Sequence, residues 1–375
     1  MMDERCLWIC AQKAFGAGSR KPSLLCRRFG SLSAFFAAGP AVWSEMTFLS
    51  EKEIAVLRYS NEQQATALLQ YARSVGQQVL TPADEDYPPA LRPFEDAPAV
   101  LFAQGDLSLL HAELSIAIVG TRKASEEGKQ TAKMLASQLC RQGAVVISGG
   151  ALGIDAAAHY GALEARGRTI CILGCGIGYP YLVQNEKMRR EIVRRGGLLL
   201  SEYPPDGGVQ RGNFPVRNRL ISGLSRGVLV IEAGSKSGSL ITARLAAEQG
   251  KDVFAVPAGI LNPNGAGVNA LIKDGAKPVT CAEDILEEYR GITRPVFTTP
   301  EKPAPAAQSS EEKPALDGFS KEAILFYYAL STEPRHITEI CAETSLSIQQ
   351  ALSAATELEL MGFIQSFSGR RYAKE

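Results

Sequence analysis

The chain has 375 residues, which is enough for two or three domains, each with a core of its own. Its hydrophobic share of 45% and charged share of 21% are those of globular proteins and exclude a disordered or fibrous chain. Because 40 Lys and Arg balance 40 Asp and Glu, net charge alone points to neither a nucleic-acid nor a membrane partner.

Cysteine and histidine usage argues against a metal or disulfide scaffold. The eight cysteines form no C-x-x-C pair, and only three histidines are present. Residues 1–14 mix charges with a short apolar run and do not resemble a secretory signal, and no segment reaches membrane-spanning length. We therefore expect a cytoplasmic protein with reduced thiols, no membrane span, no metal and no cofactor.

Residues 1–110 predict a helical N-terminal domain. Short helical patterns occupy 21–39 and 61–76, with glycines between them. Residues 83–110 are dense in proline and are expected to be irregular.

From Leu114 the pattern changes to alternating strands and helices. Apolar, β-branched runs occur at 115–120, 144–148, 169–173, 197–201, 227–233 and 252–257. Continuous apolar strands separated by helical periods are typical of a parallel sheet covered on both faces. Residues 111–290 thus predict an α/β domain with a doubly wound parallel sheet.

Four glycine-rich loops follow strands of this sheet, at 120–125, 149–155, 174–180 and 233–239. In a doubly wound sheet the carboxyl ends of parallel strands share one edge, so these loops should meet there. Four converging loops of this kind indicate that the backbone approaches a ligand closely along a broad front, although each alone is also explained as a tight turn.

The loop 233–239, "AGSKSGS", offers backbone N–H groups and Lys236 to a phosphate. It is not a Walker A loop, because the lysine precedes Gly238, and 120–125 lacks the second glycine of a dinucleotide-binding motif. ATP and NAD are therefore disfavoured.

Spaced cations favour a chain of phosphates instead. Between residues 187 and 226 nine Lys or Arg stand against three acids. Arg122, Arg217, Arg219 and Lys236 are predicted at the same sheet edge, and Phe214 would offer a face for base stacking. The alternative is a solvated basic helix face with a core phenylalanine.

No catalytic constellation emerges from the sequence. Asp155 and His159 are four apart on one predicted helix face, but helix-start capping and a buried histidine explain them better than acid–base chemistry. Glu232 suits a structural partner of arginine or backbone N–H at least as well as a base. Cys175 has no histidine nearby to activate it.

Leu271 and Ile272 are core residues by default, and a self-complementary dimer patch is the alternative. Residues 291–318 are rich in Pro, Ala, Ser and Glu and predict a flexible linker. Residues 319–375 follow the order helix, helix, helix and short ribbon, which predicts a winged-helix domain.

Several ordered stretches resemble the DNA-processing protein A (DprA/Smf) family. They are "AIVGTRKAS", "VISGGALGIDAAAH", "GCGIGYPYLVQN", "SEYPPDG", "NFPVRNRLISGLS", "EAGSKSGSLITARLAAEQGKDVFAVP" and "GVNALIKDGA", in order over residues 113–285, with Ala258 where the family often has glycine. The flanking segments resemble the family's helical SAM-like or helix-hairpin-helix extension and its winged-helix domain.

The resemblance implies an extended Rossmann-like domain that binds single-stranded DNA and forms homodimers. It further implies a non-enzymatic mediator that protects incoming DNA and loads RecA recombinase during natural transformation. A single-stranded DNA-binding protein is a further candidate partner. Leu271 and Ile272 would lie in the dimer and recombinase contacts. The implied DNA-binding residues are Gly120, Arg122, Ser148, Gly149, Gly150, Asn213, Phe214, Arg217, Asn218, Arg219, Lys236, Ser237, Gly238 and Ser239.

Two other functions fit parts of the sequence. A Rossmann-like nucleoside-monophosphate phosphoribohydrolase has similar loops, but its P-G-G-x-G-T-x-x-E signature is not matched by "EAGSKSGS". A winged-helix transcription regulator would need a basic recognition helix, whereas 347–362 carries two glutamates and no Lys or Arg.

Overall fold

The computed structural model describes residues 3–291, 319–331, 334–360, 363–367 and 370–374. The predicted linker, apart from Gly291, lies outside the described residues. The chain divides into two compact units, one on each side of this gap. Within the described residues, no helix is long and apolar enough to cross a membrane.

Five helices open the first unit, as the sequence predicted. Polar caps fix several of their starts: Ser50 and Glu53 form a reciprocal capping box, and Asn61 accepts from the Gln64 N–H. The first four of them share a core that includes the buried Phe35 and Trp43. The helices are α1 (Glu4–Phe15), α2 (Lys21–Phe29), α3 (Leu32–Ser44), α4 (Glu51–Tyr59) and α5 (Glu62–Ser74).

A nine-stranded sheet forms the centre of the first unit. Its strands are β1 (Gln78–Leu80), β2 (Leu101–Gly105), β3 (Ser115–Val119), β4 (Val145–Ser148), β5 (Thr169–Leu173), β6 (Leu198–Ser201), β7 (Gly227–Val230), β8 (Asp252–Ala255) and β9 (Lys277–Pro278). Their spatial order is β1-β2-β6-β5-β4-β3-β7-β8-β9. The run from β6 to β9 is parallel, and all six strands predicted from apolar runs are confirmed.

The sheet also extends where the sequence predicted no strand. β2 pairs antiparallel with β6, and β1 pairs antiparallel with β2. Residues 78–105 therefore complete the sheet rather than belonging to the helical N-terminal region, and part of the stretch expected to be irregular is a strand. α1 and α5 pack against this end of the sheet through Cys6, Cys10 and Ala72.

Helices cover both faces of the sheet, which confirms the doubly wound prediction. Alternate strand residues contribute to separate cores, such as Val119 on one face and Ile118 on the other. α9 (Asn213–Gly223), α10 (Ser239–Glu248) and α11 (Ala266–Lys273) cover the first face. The opposite face carries α6 (Glu126–Arg141), α7 (Ile154–Glu164), α8 (Glu186–Arg194) and α12 (Glu283–Leu286).

The winding direction reverses beside β3. From β3 the chain adds β4, β5 and β6 on one side, and it then returns to place β7, β8 and β9 on the other. In open α/β sheets, ligands bind outside the carboxyl ends of strands at such a switch point. The loops after β3 and β7 therefore border the position where a site is expected.

The second unit is a winged-helix fold, as predicted. Its three helices enclose a core around Phe326, Ile340 and Leu358. Its elements are α13 (Lys321–Ala329), β10 (Arg335–His336), α14 (Ile337–Thr344), α15 (Ile348–Leu360), β11 (Ile364–Phe367) and β12 (Arg371–Lys374), with the strands ordered β10-β12-β11.

Candidate nucleic-acid interface

A cleft of about 320 Å³ opens at the switch point, between the loops that follow β3 and β7. The start of α9 forms one wall and the start of α10 another. The predicted site residues that line it are Gly120, Arg122, Phe214, Arg217, Asn218, Ser237, Gly238 and Ser239, together with Thr121, Lys123, Ala151 and Asp155.

An exposed arginine lies over an aromatic ring at the mouth of this cleft. The guanidinium carbon of Arg122 is 5.1 Å from the centroid of the Phe214 ring, within cation–π distance. Phe214 also contacts Tyr181, with ring centroids 5.6 Å apart and ring planes tilted by 41°. Phe214 and Arg122 also line an adjoining pocket with Tyr179. Arg122, Phe214 and Tyr181 thus form a continuous platform of one cation and two rings.

Three exposed cations lie on the two loops that form the cleft, and two of them, Arg122 and Lys123, line it directly. Arg122 and Lys123 lie in the loop after β3, and Lys236 lies in the loop after β7. In the part of the chain that the structure describes, none of the three forms an ion pair with a carboxylate. Their charge is available to an anionic ligand.

Glycine brings main chain to the pocket that adjoins the cleft, where a side chain would not fit. Gly150 has φ +64°, and a Cβ on it would stand 2.6 Å from the Cys171 Sγ. A Cβ on Gly149 would lie 2.5 Å from the Arg217 guanidinium. The loop after β4 thus requires glycine for packing as well as for conformation, so these two glycines shape the site from behind.

Arg217 is a buried cation beneath the cleft rather than a free phosphate ligand. Its Nη1 donates to the Gly149 carbonyl at 2.6 Å and also to the Ile172 carbonyl. Burial lowers the pKa of its guanidinium, and the charge of Asp155 opposes that change. Burial likewise raises the pKa of the Asp155 carboxyl, and Arg217 opposes it. Arg217 therefore joins the glycine loop after β4 and the strand β5 to α9, and it adds positive charge to the cleft lining.

Arg219 does not belong to the predicted cationic track. Its side chain is 7% exposed, and its Nη2 is 2.5 Å from the Glu202 Oε2. Glu202 also accepts from the Gly18 N–H at 2.9 Å, and Asp96 lies 3.7 Å from the Arg219 Nε. The prediction for Arg219 was wrong because this ion pair connects α9 to the N-terminal region instead of facing the cleft.

Two further predicted side chains stabilise backbone rather than face a ligand. Ser148 is fully buried, and its hydroxyl donates to the Ile118 carbonyl at 2.6 Å. Asn213 is buried, and its amide donates to the Gly174 carbonyl at 3.0 Å. Asn218, in contrast, lines the cleft, and its Oδ1 accepts from the Arg217 Nε at 3.3 Å.

The sequence did not single out Lys123, Tyr181 or Arg189. Lys123 stands next to Arg122 in the same predicted loop, which was a usable signal. Tyr181 and the buried Arg189 line the pocket beyond Phe214, after the glycine loop 174–180. Only the tertiary structure places them there.

The residues examined for catalysis have structural surroundings. His159 is fully buried with Nδ1 2.8 Å from the Thr169 hydroxyl, and burial lowers its pKa to about 3. Glu232 accepts from the Ser125 N–H and hydroxyl at the start of α6. Burial raises the pKa of the Cys175 thiol, which disfavours the nucleophilic thiolate. The structural interpretations of His159 and Glu232 are confirmed.

Leu271 and Ile272 lie on α11 and are half-buried against the core of the α9–α11 face. Leu271 also lines a groove of about 710 Å³ between α10, α11 and β8. The core interpretation is confirmed in part, and the dimer patch stays a prediction.

Family models match most of the chain. Residues 78–290 match the model described as DNA recombination-mediator protein A, and residues 299–370 match the one described as DprA winged helix domain. The first alone spans more than half of the chain.

Individual proteins agree with this match. The chain is 44% identical to the DNA processing protein DprA of Bacillus subtilis over 216 residues, which are 58% of this chain and 72% of that protein. The solved structure of Streptococcus pneumoniae DprA superposes with a TM-score of 0.67 at 32% identity, covering 77% of this chain and 99% of that one. That of Helicobacter pylori DNA processing protein A, described by its single-stranded DNA binding mode, gives a TM-score of 0.53 at 35% identity over 58% of this chain and 97% of that one.

Proposed function

The chain belongs to the DprA/Smf family of DNA-processing proteins, and on that premise we propose that its switch-point cleft binds single-stranded DNA. The observation that carries the proposal is the platform of Arg122, Phe214 and Tyr181, bordered by the unpaired cations Lys123 and Lys236. Proteins that bind single strands combine a cationic groove with ring faces on which bases stack.

The shape of the cleft favours a single strand over a duplex. Its volume of about 320 Å³ is at the small end of ligand sites and suits an unpaired nucleotide. In a duplex the base faces are covered by their neighbours, so Phe214 would have no free face to contact. Since the cations contact phosphates rather than base edges, binding should tolerate any sequence.

The proposed role is binding, not catalysis. A phosphoribohydrolase would need a free carboxylate at the edge, and the Glu232 carboxylate is engaged by Ser125 at 2.6 and 3.0 Å. A duplex-reading regulator is disfavoured because none of the described exposed side chains of α15 is basic, and they include Gln349, Gln350 and Glu359.

Beyond strand binding, we infer from the family resemblance a cytoplasmic mediator that protects incoming DNA and loads RecA recombinase during natural transformation. Leu271 and Ile272 would contribute to the homodimer contact. The half-exposed α11 and its groove support this inference, since an apolar helix face beside a groove suits a second copy. The decisive assay is RecA filament nucleation on strands covered by a single-stranded DNA-binding protein, with and without the wild-type chain.

Stacking on Phe214 provides the test of strand binding. Fluorescence anisotropy with a labelled oligo(dT) and a hairpin duplex should show preference for the single strand. Phe214→Ala should weaken oligo(dT) binding about tenfold, because base–aromatic stacking contributes ~1–3 kcal/mol per base. Phe214→Trp should retain most of the affinity, and Tyr59→Ala, an exposed ring on α4, serves as the control. Equal affinity of wild type and Phe214→Ala, or no preference over the hairpin, would refute the proposal.

A further inference from the structure

Two adjacent aliphatic side chains stand almost fully in solvent on the loop between β8 and α11. Ile260 is 95% exposed and Leu261 is 93% exposed, the highest values for large hydrophobic residues in the described part of the chain. Single exposed aliphatics are ordinary, but two neighbours presented together at a loop tip indicate a contact surface.

The loop that presents them is held in place. The Asn262 N–H donates to the Gly259 carbonyl at 3.0 Å, and the Gly265 N–H donates to the Asn262 carbonyl at 2.9 Å. At its base, the Asn269 side-chain amide clamps Ala258, accepting from its N–H at 3.1 Å and donating to its carbonyl at 2.8 Å. A preorganised loop loses little conformational entropy when its tip makes a contact.

The same loop is joined to both loops that carry the cleft cations. The Asn264 side-chain amide donates to the Lys123 carbonyl at 3.0 Å, and the Asn264 backbone carbonyl accepts from the Ala233 N–H at 2.8 Å. Ala233 begins the loop that holds Lys236. Residues 257–267 contain no charged side chain, so the cations of this region lie on the two loops to which Asn264 is bonded.

We propose that Ile260 and Leu261 contact the bases of the single strand where it leaves the cleft. This inference rests on the proposed strand binding. Aliphatic side chains can wedge against base faces, as they do in proteins that unstack DNA, while adjacent Lys123 and Lys236 hold the phosphates. The combination of an apolar tip, flanking cations and continuity with the cleft favours DNA over a protein or a lipid surface.

The double variant Ile260→Ser/Leu261→Ser tests the contact in the full-length chain. Because both side chains are exposed, thermal unfolding should be unchanged. Binding to oligo(dT) should weaken about fivefold, the loss expected when two partly covered aliphatic groups are removed. The salt dependence should stay that of the wild type, because no phosphate contact is lost. The control Tyr59→Ser, which removes another exposed hydrophobic group, should change neither the oligo(dT) affinity nor its salt dependence.

An abasic oligonucleotide of the same length separates base contacts from all others. If the pair contacts bases, the double variant and the wild type should bind the abasic strand equally. Unchanged oligo(dT) affinity, or the same loss on the abasic strand, would overturn the inference. A different result is that the double variant keeps its DNA affinity but loses cosedimentation with phosphatidylglycerol vesicles, or loses a dimer seen in light scattering. Either loss would overturn the inference and assign the pair to a lipid contact or a dimer contact. If Phe214→Ala also leaves binding unchanged, the proposed function itself fails.

Discussion

Removal of Arg122 and Lys236 should change how strand binding depends on salt. Each phosphate contact on a single strand contributes about 0.7 to the slope of log affinity against log salt concentration. If the three exposed cations of the cleft each contact one phosphate, the wild-type slope is at least about −2. The double variant Arg122→Ala/Lys236→Ala should flatten it by about 1.4, and the loss of affinity should apply to every sequence.

The size of this effect can be measured within a modest salt range. A slope difference of 1.4 means that the affinity ratio of wild type to variant grows about sevenfold between about 200 and about 50 mM salt. Anisotropy titrations of oligo(dT) and of a mixed sequence at four salt concentrations would give both slopes. The matched control is Arg58→Ala/Arg141→Ala, which removes two exposed arginines from the ends of α4 and α6 and leaves the cleft intact.

Parallel salt plots for wild type and the Arg122→Ala/Lys236→Ala variant would refute the reasoning, because they would show that neither cation neutralises a phosphate. An equal flattening in the Arg58→Ala/Arg141→Ala control would show that overall charge, and not the cleft, determines the affinity.

Three more outcomes follow from buried and half-buried groups. Arg219→Met should lower the free energy of unfolding by about 3 kcal/mol or more in urea titrations, since it leaves the buried Glu202 without its cation. The double variant Arg219→Met/Glu202→Leu should recover much of that loss. A wild-type urea midpoint for Arg219→Met would contradict this. Leu271→Arg should give monomers in light scattering if α11 is the dimer face, and a persisting dimer would move the interface elsewhere. His159 stays neutral in the folded chain, where its pKa is near 3, whereas in the unfolded chain it takes up a proton as the pH falls below about 6.5. The free energy of unfolding should therefore drop by ~1.4 kcal/mol per pH unit below that pH. His159→Gln should flatten this pH dependence in urea titrations between about pH 6.5 and 5, and an unchanged profile would contradict the explanation.

The central sheet was predictable from local sequence, whereas its antiparallel end was not. Strands buried on both faces consist of continuous apolar residues, so β3 to β8 are visible as runs. β1 has three residues and β2 has five, in a proline-rich segment, and β2 is fixed by pairing with β6 about a hundred residues later. Such pairing leaves no periodic signal in the chain.

The site was predictable as a set of loops but not side chain by side chain. Arg217 and Arg219 are two residues apart, and on an α-helix that places them about 200° apart around the axis. Once 213–223 is a helix, they cannot face the same cleft. Ser148 and Asn213 were mispredicted for a different reason. Buried backbone carbonyls need hydrogen-bond donors, and these two side chains donate to such carbonyls instead of to a ligand. The sequence shows the residue types, and only the helix boundaries show their directions.

The carboxylate of Glu202 has a consequence for where this protein can be divided. The family model begins at residue 78, yet the Glu202 carboxylate accepts a hydrogen bond from the Gly18 N–H, and the Glu202 backbone carbonyl accepts one from the Gln12 side-chain amide at 3.2 Å. Val79 and Phe102 of the sheet are buried against α1 and α5. A fragment of residues 78–291 would keep the segment that the family model matches, but it would expose an apolar flank and remove the two N-terminal hydrogen bonds to Glu202. The segment that the family model matches and the segment that shares one set of contacts therefore have different borders, and the second includes the N-terminal helices.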